Sequence, residues 1–405
     1  MILNKGNLED YLKTHYPSFC TGPLSISLIG DDEEDNPGVI NPVFRVKNGT
    51  SSLIVKQGQP RAASGVDLTL PLDRNAMECE SLRLRGAILP DMIPQVYYHD
   101  PADHVFLMED VSYLQPSRYL LTNGVTLPHF GEQVARFCAA NSFYLSEFYL
   151  DTDLFRALSA HFTNSQMRQV MEQWVFLRHT PYDQEGLGDP ALKRSVNGDK
   201  ALECRIHLLR HYFMNQAECL VHADTHTSNI FANDNAIKVL DMEYTFAGPI
   251  GYDLGYFFSS ILSQYASAAY RDFPNEGERR DFKGYILRLV ESAYAHFIND
   301  YSRFWDEDAK PLYRDQTVFR EKLLEPMLGD VLGFAGVPML LQSTVTLSPL
   351  TEFGVIQDPV LRGRALALNL FLARFAIMKG ERYPNMASFL SDLVEVERIF
   401  QRNMA

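Results

Sequence analysis

The chain has 405 residues, of which 46% are hydrophobic and 22% charged, with a formal net charge of −14. That length supplies a sizeable core and suggests two or three domains or subdomains; the acidic balance argues against the basic footprint of a nucleic-acid binder. The N-terminal "MILNKGNLEDYLKTHYPSF" lacks the basic-then-apolar pattern of a secretory signal. No stretch approaches the roughly 18 uninterrupted apolar residues of a membrane span; the most apolar window, "GFAGVPMLLQSTVTL", is broken by Pro338, Gln342 and Ser343. Five cysteines, odd in number and without CxxC spacing, read as reduced thiols of a cytoplasmic protein.

Short β-rich runs open the chain: "SISLI" (25–29), "VFRV" (43–46), "SLIVKQ" (52–57), "QVYYHD" (95–100) and "HVFLMED" (104–110). Turn-formers such as "DDEEDNPG" and "KNGTS" separate them. A helix is predicted over Asp73–Arg85, with Asp73 as N-cap and an apolar stripe of Leu72, Ala76, Met77, Leu82 and Leu84. Past Val111 the periodicity becomes helical, over 128–148, 165–177, 201–217, 254–271, 281–299, 317–332 and 360–379. Two features interrupt it. The turn-rich segment 178–200 reads as a surface excursion, and "CLVH", "IFAND" and "IKVLDMEY" between 218 and 247 read as short strands of a hairpin. The expected fold is α+β, with a β-rich lobe over 1–110 and a mostly helical lobe over 111–405.

The chemistry-bearing residues cluster around that hairpin. "HADTHTSN" offers Asp224 and Asn229, and "IKVLDMEY" offers Asp241 and Glu243. A hard cation such as Mg²⁺ takes carboxylate and amide oxygens together with phosphate oxygens. Asn229, Asp241 and Glu243 would supply them if the hairpin brings its ends together and a strand turns Asp241 and Glu243 to one face. Asp224 is then a separate carboxylate, placed to orient a hydroxyl nucleophile and accept its proton. One carboxylate for the acceptor, an Asn and an Asp for metal and a Lys for nucleotide phosphates is the division of labour of phosphoryl transfer. Lys56, ending "SLIVK", is the candidate lysine; Glu78, rather than Glu80, is its expected partner. In the connector "FLMEDVS" the carbonyl of Glu109 and the N–H of Val111 are candidates for an adenine edge.

Taken singly, each has a plainer reading. Lys56 could lie on an edge strand, Glu78 on a solvated helix face, and Asp253 in "GPIGYDLG" could be a helix N-cap or a brace for the loop. His222 and His226 suggest zinc, yet no third ligand matches them, which favours structural hydrogen bonding. It is the order of lysine, glutamate, connector, loop and metal carboxylate along one chain that makes coincidence a poor explanation.

These residues resemble the aminoglycoside-phosphotransferase and choline-kinase-like superfamily, relatives of the protein kinases. "HADTHTSNI" is similar to its catalytic loop, and "VLDMEYTFAGPIGYDLG" to its metal-binding strand and the following helix start. The resemblance narrows to the 5-methylthioribose kinases through His226–Thr227 and the Asp241-x-Glu243 spacing. It extends through "NPVFRV", "LIVKQ", "LPLDRNAMECESL", "LMEDVSYL" and "LGFAGVPML". It implies a two-lobed protein-kinase-like fold and transfer of the γ-phosphate of ATP, with Mg²⁺, to a hydroxyl of a small sugar-like acceptor. It also places Asn41 of "NPVFRV" in the nucleotide site and is compatible with a homodimer; neither nucleic acid nor membrane is an expected partner. Three departures bear on the substrate: Leu341 and Gln342 stand where that family carries an Arg pair, Leu68 where it carries a tryptophan-led loop, and Ala223 where glycine is usual. The acidic run 31–35 is unusual company for a triphosphate. 5-Methylthioribose is the default acceptor; another small alcohol or sugar, or a nucleotide-binding pseudokinase, is the alternative.

Overall fold

A computed structural model describes residues 1–30, 42–60, 70–178, 190–344 and 351–404. The acidic run 31–35, Asn41, Leu68 and residues 179–189 of the turn-rich segment lie outside the described residues.

The chain opens with a helix the sequence reading did not foresee, α1 (Leu8–His15). Five antiparallel strands follow: β1 (Ser25–Leu28), β2 (Val43–Lys47), β3 (Ser52–Gln57), β4 (Val96–Asp100) and β5 (Val105–Glu109), in the order β1-β2-β3-β5-β4. Strand alternation decides what each face meets. Phe44, Val46, Leu53, Val55, Val105 and Leu107 pack under Leu8, Tyr11 and Leu12 of α1. Ile54, Phe106 and Met108 join the main core, together with Cys79 and Leu82 of α2 (Arg74–Ile88). Lys56 has the parity of Ile54, and so projects toward α2 rather than toward α1.

Helix α2 corrects the expected apolar stripe. Its buried residues are Arg74, Asn75, Glu78, Cys79, Ser81, Leu82 and Arg85, so of the five stripe residues only Leu82 is buried. On the inner face of α2 polar partners replace apolar ones: Arg85 Nε donates to Asn141 Oδ1 at 2.7 Å. Asp73 occupies the N-cap position, but its backbone is already helical and its side chain makes no capping bond.

After β6 (Gln115–Pro116) the chain is mostly helical: α3 (Ser117–Thr122), α4 (Phe130–Tyr144), α5 (Thr152–His161), α6 (Ser165–Met171) running into a π-turn at Glu172–Leu177, α7 (Pro190–Asn197) and α8 (Lys200–Asn215). Helix α7 falls inside the segment read as an irregular surface excursion. The strands β7 (Cys219–Val221), β8 (Ile230–Ala232), β9 (Ile237–Val239) and β10 (Phe246–Gly248) come next. Beyond them lie α9 (Tyr252–Ala268), α10 (Glu276–Asp308), α11 (Pro311–Arg314), α12 (Thr317–Leu324), α13 (Met327–Thr344), α14 (Pro359–Lys379) and α15 (Met386–Met404). The expected helix 317–332 is two helices, α12 and α13, parted at Glu325–Pro326, where proline removes a backbone donor and fixes φ.

Helix α13 packs against α9 and α14, and α10 packs on α4. Glycine permits the first two contacts. A Cβ on Gly255 would stand 2.7 Å from the Val331 carbonyl oxygen, and one on Gly336 would stand 2.5 Å from Ile377 Cγ1. "LGFAGVPML" is therefore a helix-packing element. By length and mean hydropathy the run Thr317–Ser343 passes for a membrane span, but 72% of its apolar window is buried inside the fold. Its hydropathy reflects its place in the core.

Candidate active site

The hairpin β8–β9 pairs Ile230 with Val239, and the Leu240 N–H donates to the Asn229 carbonyl at 2.9 Å. The two ends of the polar segment thus meet. Residues 222–229 form a loop between β7 and β8, held from beneath by Asp253. This carboxylate accepts the backbone N–H of His222 at 2.8 Å and of Ala223 at 2.9 Å. It also takes Asn141 Nδ2 at 3.1 Å, and the Asp253 carbonyl accepts Thr225 Oγ1 at 2.6 Å. Asp253 lies within the first turn of α9, whose N-cap is Gly251. Of its two sequence readings, the brace describes the geometry and the N-cap does not. Ala223 has φ 74, a left-handed conformation that glycine adopts without strain. That is a physical reason for glycine to be usual at this loop position.

Both loop histidines make hydrogen bonds within the loop or to its neighbours. His222 is fully buried; its Nε2 pairs with the Leu240 carbonyl at 2.8 Å, and its Nδ1 accepts the Asp224 N–H at 3.2 Å. Burial pulls its pKa down, favouring the neutral ring. His226 Nδ1 accepts the Ser228 N–H at 3.2 Å, and its Nε2 lies 3.4 Å from Asp224 Oδ2. Burial works against its charge, but Asp224 outweighs burial and raises its pKa. Asp224 also receives Asn229 Nδ2, 3.0 Å from its Oδ2 and 3.0 Å from its carbonyl, and the Tyr256 hydroxyl. The amide oxygen of Asn229 is the atom left over by those two bonds.

Lys56 reaches this loop from β3. Its Nζ lies 2.8 Å from Glu78 Oε1 and also bonds Asp241 Oδ1. Glu80 points elsewhere and pairs with His161. Burial disfavours the Lys56 ammonium, but Asp241 and Glu78 outweigh it and hold the group charged well above the usual lysine range. Burial pushes Asp241 up, yet Lys56 more than offsets it, and the carboxyl ends below its usual range. Glu78 goes the other way. Burial, with Asp241 and Glu243 nearby, outweighs Lys56 and raises it to about 8.

The strand-parity argument for Asp241 and Glu243 is corrected. Strand β9 ends at Val239, Asp241 has φ 65, and a turn follows in which Thr245 N–H donates to Met242 O at 3.3 Å. Asp tolerates the left-handed region better than most residues, and the bond from Lys56 holds it there. Glu243 is buried and pairs with Arg74 Nε at 3.2 Å. Both carboxylates lie within electrostatic range of Lys56, brought together by a turn rather than by a shared strand face.

Glu109 ends β5, and its side chain is tied to Lys238 Nζ at 3.0 Å and to the Tyr113 hydroxyl at 3.0 Å. Val111 is buried in the connector, which turns where Leu114 N–H bonds the Val111 carbonyl at 2.9 Å. Asp110 between them is pinned to Ser52 and, at 3.2 Å, to Arg45. Leu341 is buried and Gln342 half-buried on the last turns of α13. Sequence reading missed Arg74, Arg85, Tyr256, Arg118 and Glu352. Helical spacing offered one signal: Arg74, Glu78, Ser81 and Arg85 recur along a single face of α2.

The model of the phosphotransferase enzyme family matches residues 33–286. A methylthioribose kinase of Geobacillus thermodenitrificans is 30% identical over 93% of this chain and 92% of its own length. One of Bacillus cereus is 28% identical over 84% of this chain and 85% of its own. Among solved structures, a choline kinase of Cryptosporidium parvum is 11% identical and superposes with a TM-score of 0.51, covering 97% of this chain and 99% of that one. A β-sheet lobe carrying a buried Lys–Glu pair, set against a helical lobe with an Asp/Asn loop, is the two-lobed protein-kinase-like arrangement. The chain belongs to the phosphotransferase enzyme family, as a small-molecule kinase of the methylthioribose-kinase type.

Proposed function

We propose that the enzyme transfers the γ-phosphate of MgATP to a hydroxyl of a small sugar, with 5-methylthioribose as the default acceptor. The observation that carries this reading is the convergence of Lys56, Glu78 and Asp241 from one lobe and the hairpin with Asp224, Asn229 and His226 on the loop beside them. The similarity to methylthioribose kinases supplies the acceptor. Leu341 and Gln342, in place of an arginine pair, keep a related sugar or another small alcohol in the running.

The donor set suits Mg²⁺. Asn229, Asp241 and Glu243 offer oxygen alone, Glu243 from within its ion pair with Arg74. Few protein ligands, completed by phosphate and water, is how Mg²⁺ is usually held; bound there, it would neutralise charge on the β- and γ-phosphates. Lys56, positioned by Glu78, meets the nucleotide phosphates. The Glu109 carbonyl and Val111 N–H face the adenine edge. Asp224, oriented by Asn229 and His226, takes the proton of the acceptor hydroxyl as it attacks in line. Catalysis then rests on positioning and charge neutralisation. The free cysteines suit a reducing compartment, and we place the enzyme in the cytoplasm.

Asp224→Ala tests the assignment. Phosphoryl transfer should fall by about a hundredfold to ten-thousandfold, while ADP–Mg²⁺ still raises the melting temperature. Near-wild-type turnover would sink the role given to Asp224.

A further inference from the structure

Arg118 and Glu352 both rest on Thr227, which follows His226 in the catalytic loop, and the chemistry above uses neither. The Arg118 backbone N–H donates to the Thr227 carbonyl at 3.1 Å. Thr227 Oγ1 donates to Glu352 Oε1 at 3.4 Å. Arg118 is 6% exposed and Glu352 2%. The Arg118 guanidinium lies over the Tyr119 ring at 4.8 Å, and its buried Nε has no hydrogen-bond acceptor among the described residues. The two opposite charges influence each other, and Glu352 also acts on His226, yet no ion pair joins Arg118 to Glu352. A buried guanidinium with an unpartnered Nε is costly unless something completes its hydrogen bonds, and the buried Glu352 carboxylate, which accepts from Thr227 Oγ1 and its own backbone N–H, has lone pairs left to accept more.

This inference rests on the kinase reading. We propose that Arg118 and Glu352 are the acceptor-reading end of the site and bind the non-reacting hydroxyls of a neutral polyol. A carboxylate accepts hydrogen bonds from hydroxyl groups, and a planar guanidinium donates to hydroxyl or ring oxygens. Their charges sum to zero, so a neutral acceptor completes both without leaving either uncompensated, whereas an acceptor of net charge would upset that balance. Arg118 meets the loop through its backbone and holds its guanidinium within electrostatic range of Glu352, a cation that Leu341 and Gln342 cannot supply.

The test compares wild type with Arg118→Met and Glu352→Gln in the full chain, using Mg²⁺, ATP and 5-methylthioribose. Analogues of that sugar lacking one non-reacting hydroxyl, an amino alcohol and a hydroxy-amino acid complete the acceptor panel. Each variant should raise the acceptor KM by about tenfold or more, keep the ATP KM within about twofold, and lose discrimination against one deoxy analogue. Equal losses in acceptor KM and ATP KM with a lowered melting temperature would make the pair merely structural and overturn the proposal. So would unchanged discrimination, or a wild-type preference for the amino alcohol or the hydroxy-amino acid. If Arg118→Met does not fold, Arg118→Lys keeps the charge, loses the planar fork, and is read the same way. If the wild type consumes no ATP with any acceptor, the kinase reading fails separately. Calorimetry of the sugars with ADP–Mg²⁺ then decides: binding weakened about tenfold in the variants supports the pair, and no binding overturns it.

Discussion

Glu78→Gln separates two accounts of the Lys56 environment. Glu78, Asp241 and Glu243 crowd two cations, Lys56 and Arg74. With three carboxylates against two cations, the most buried arrangement favours a proton on one of them, and Glu78 is raised from 4.5 to about 8. Its folded-state pKa lies above its unfolded value, so its contribution to stability is full below the unfolded pKa and is lost as pH rises through about 8. Between pH 6 and pH 9 the wild type should therefore lose about 2–3 kcal/mol through this one group. Glutamine preserves the acceptor for Lys56 Nζ and carries no titrating proton. At pH 6 the variant should match the wild type within about 1 kcal/mol, and by pH 9 it should have gained about 2–3 kcal/mol relative to it. Urea unfolding in metal-free buffer at both pH values reads this directly. The reasoning fails if both proteins respond identically to pH and the variant is already weaker by about 3–5 kcal/mol at pH 6, the cost of breaking a fully ionised buried pair.

Two further substitutions probe the loop's support. Asp253→Ala orphans the buried N–H groups of His222 and Ala223, and should cost about 2–6 kcal/mol along with most activity; a loss near 1 kcal/mol, the usual worth of an N-cap, would return Asp253 to a capping role. Ala223→Gly should keep activity and stay within about 1 kcal/mol of wild type, whereas Ala223→Val, β-branched at φ 74, should cost more than about 2 kcal/mol. Equal tolerance of both in thermal unfolding would remove backbone strain from the account.

The five strands were legible because alternation is local: each expected run matches its strand to within a residue or so at either end. The hairpin and its polar ends were legible for the same reason. Other features depend on what lies across the fold. The residues of α1 give a weak pattern by themselves, and only the outer face of the sheet gives Leu8, Tyr11 and Leu12 something to cover. The charged inner face of α2 looked like a solvated one until Asn141, Glu243 and Lys56 were seen to meet it. The left-handed turn at Asp241 has no sequence signature apart from the residue type. It exists where a lysine more than a hundred residues earlier holds the carboxylate.

That last dependence says something about how the site is assembled. Lys56 stands on the rigid middle of the sheet, paired with Phe106 on one side and Val43 on the other, while Asp241 sits on an irregular turn. Their bond fixes the flexible partner to the stiff one, and Glu78 on α2 keeps the lysine from following Asp241 away. Asp253 does the same for the loop 222–229, from the first turn of α9, one of the most deeply buried helices of the fold. Each irregular segment of the candidate site is thus tied by a carboxylate to a regular element. The two left-handed residues at the site, Ala223 and Asp241, each take part in one of those ties. Strain at a functional site persists only where its surroundings over-determine it, and here they do so twice.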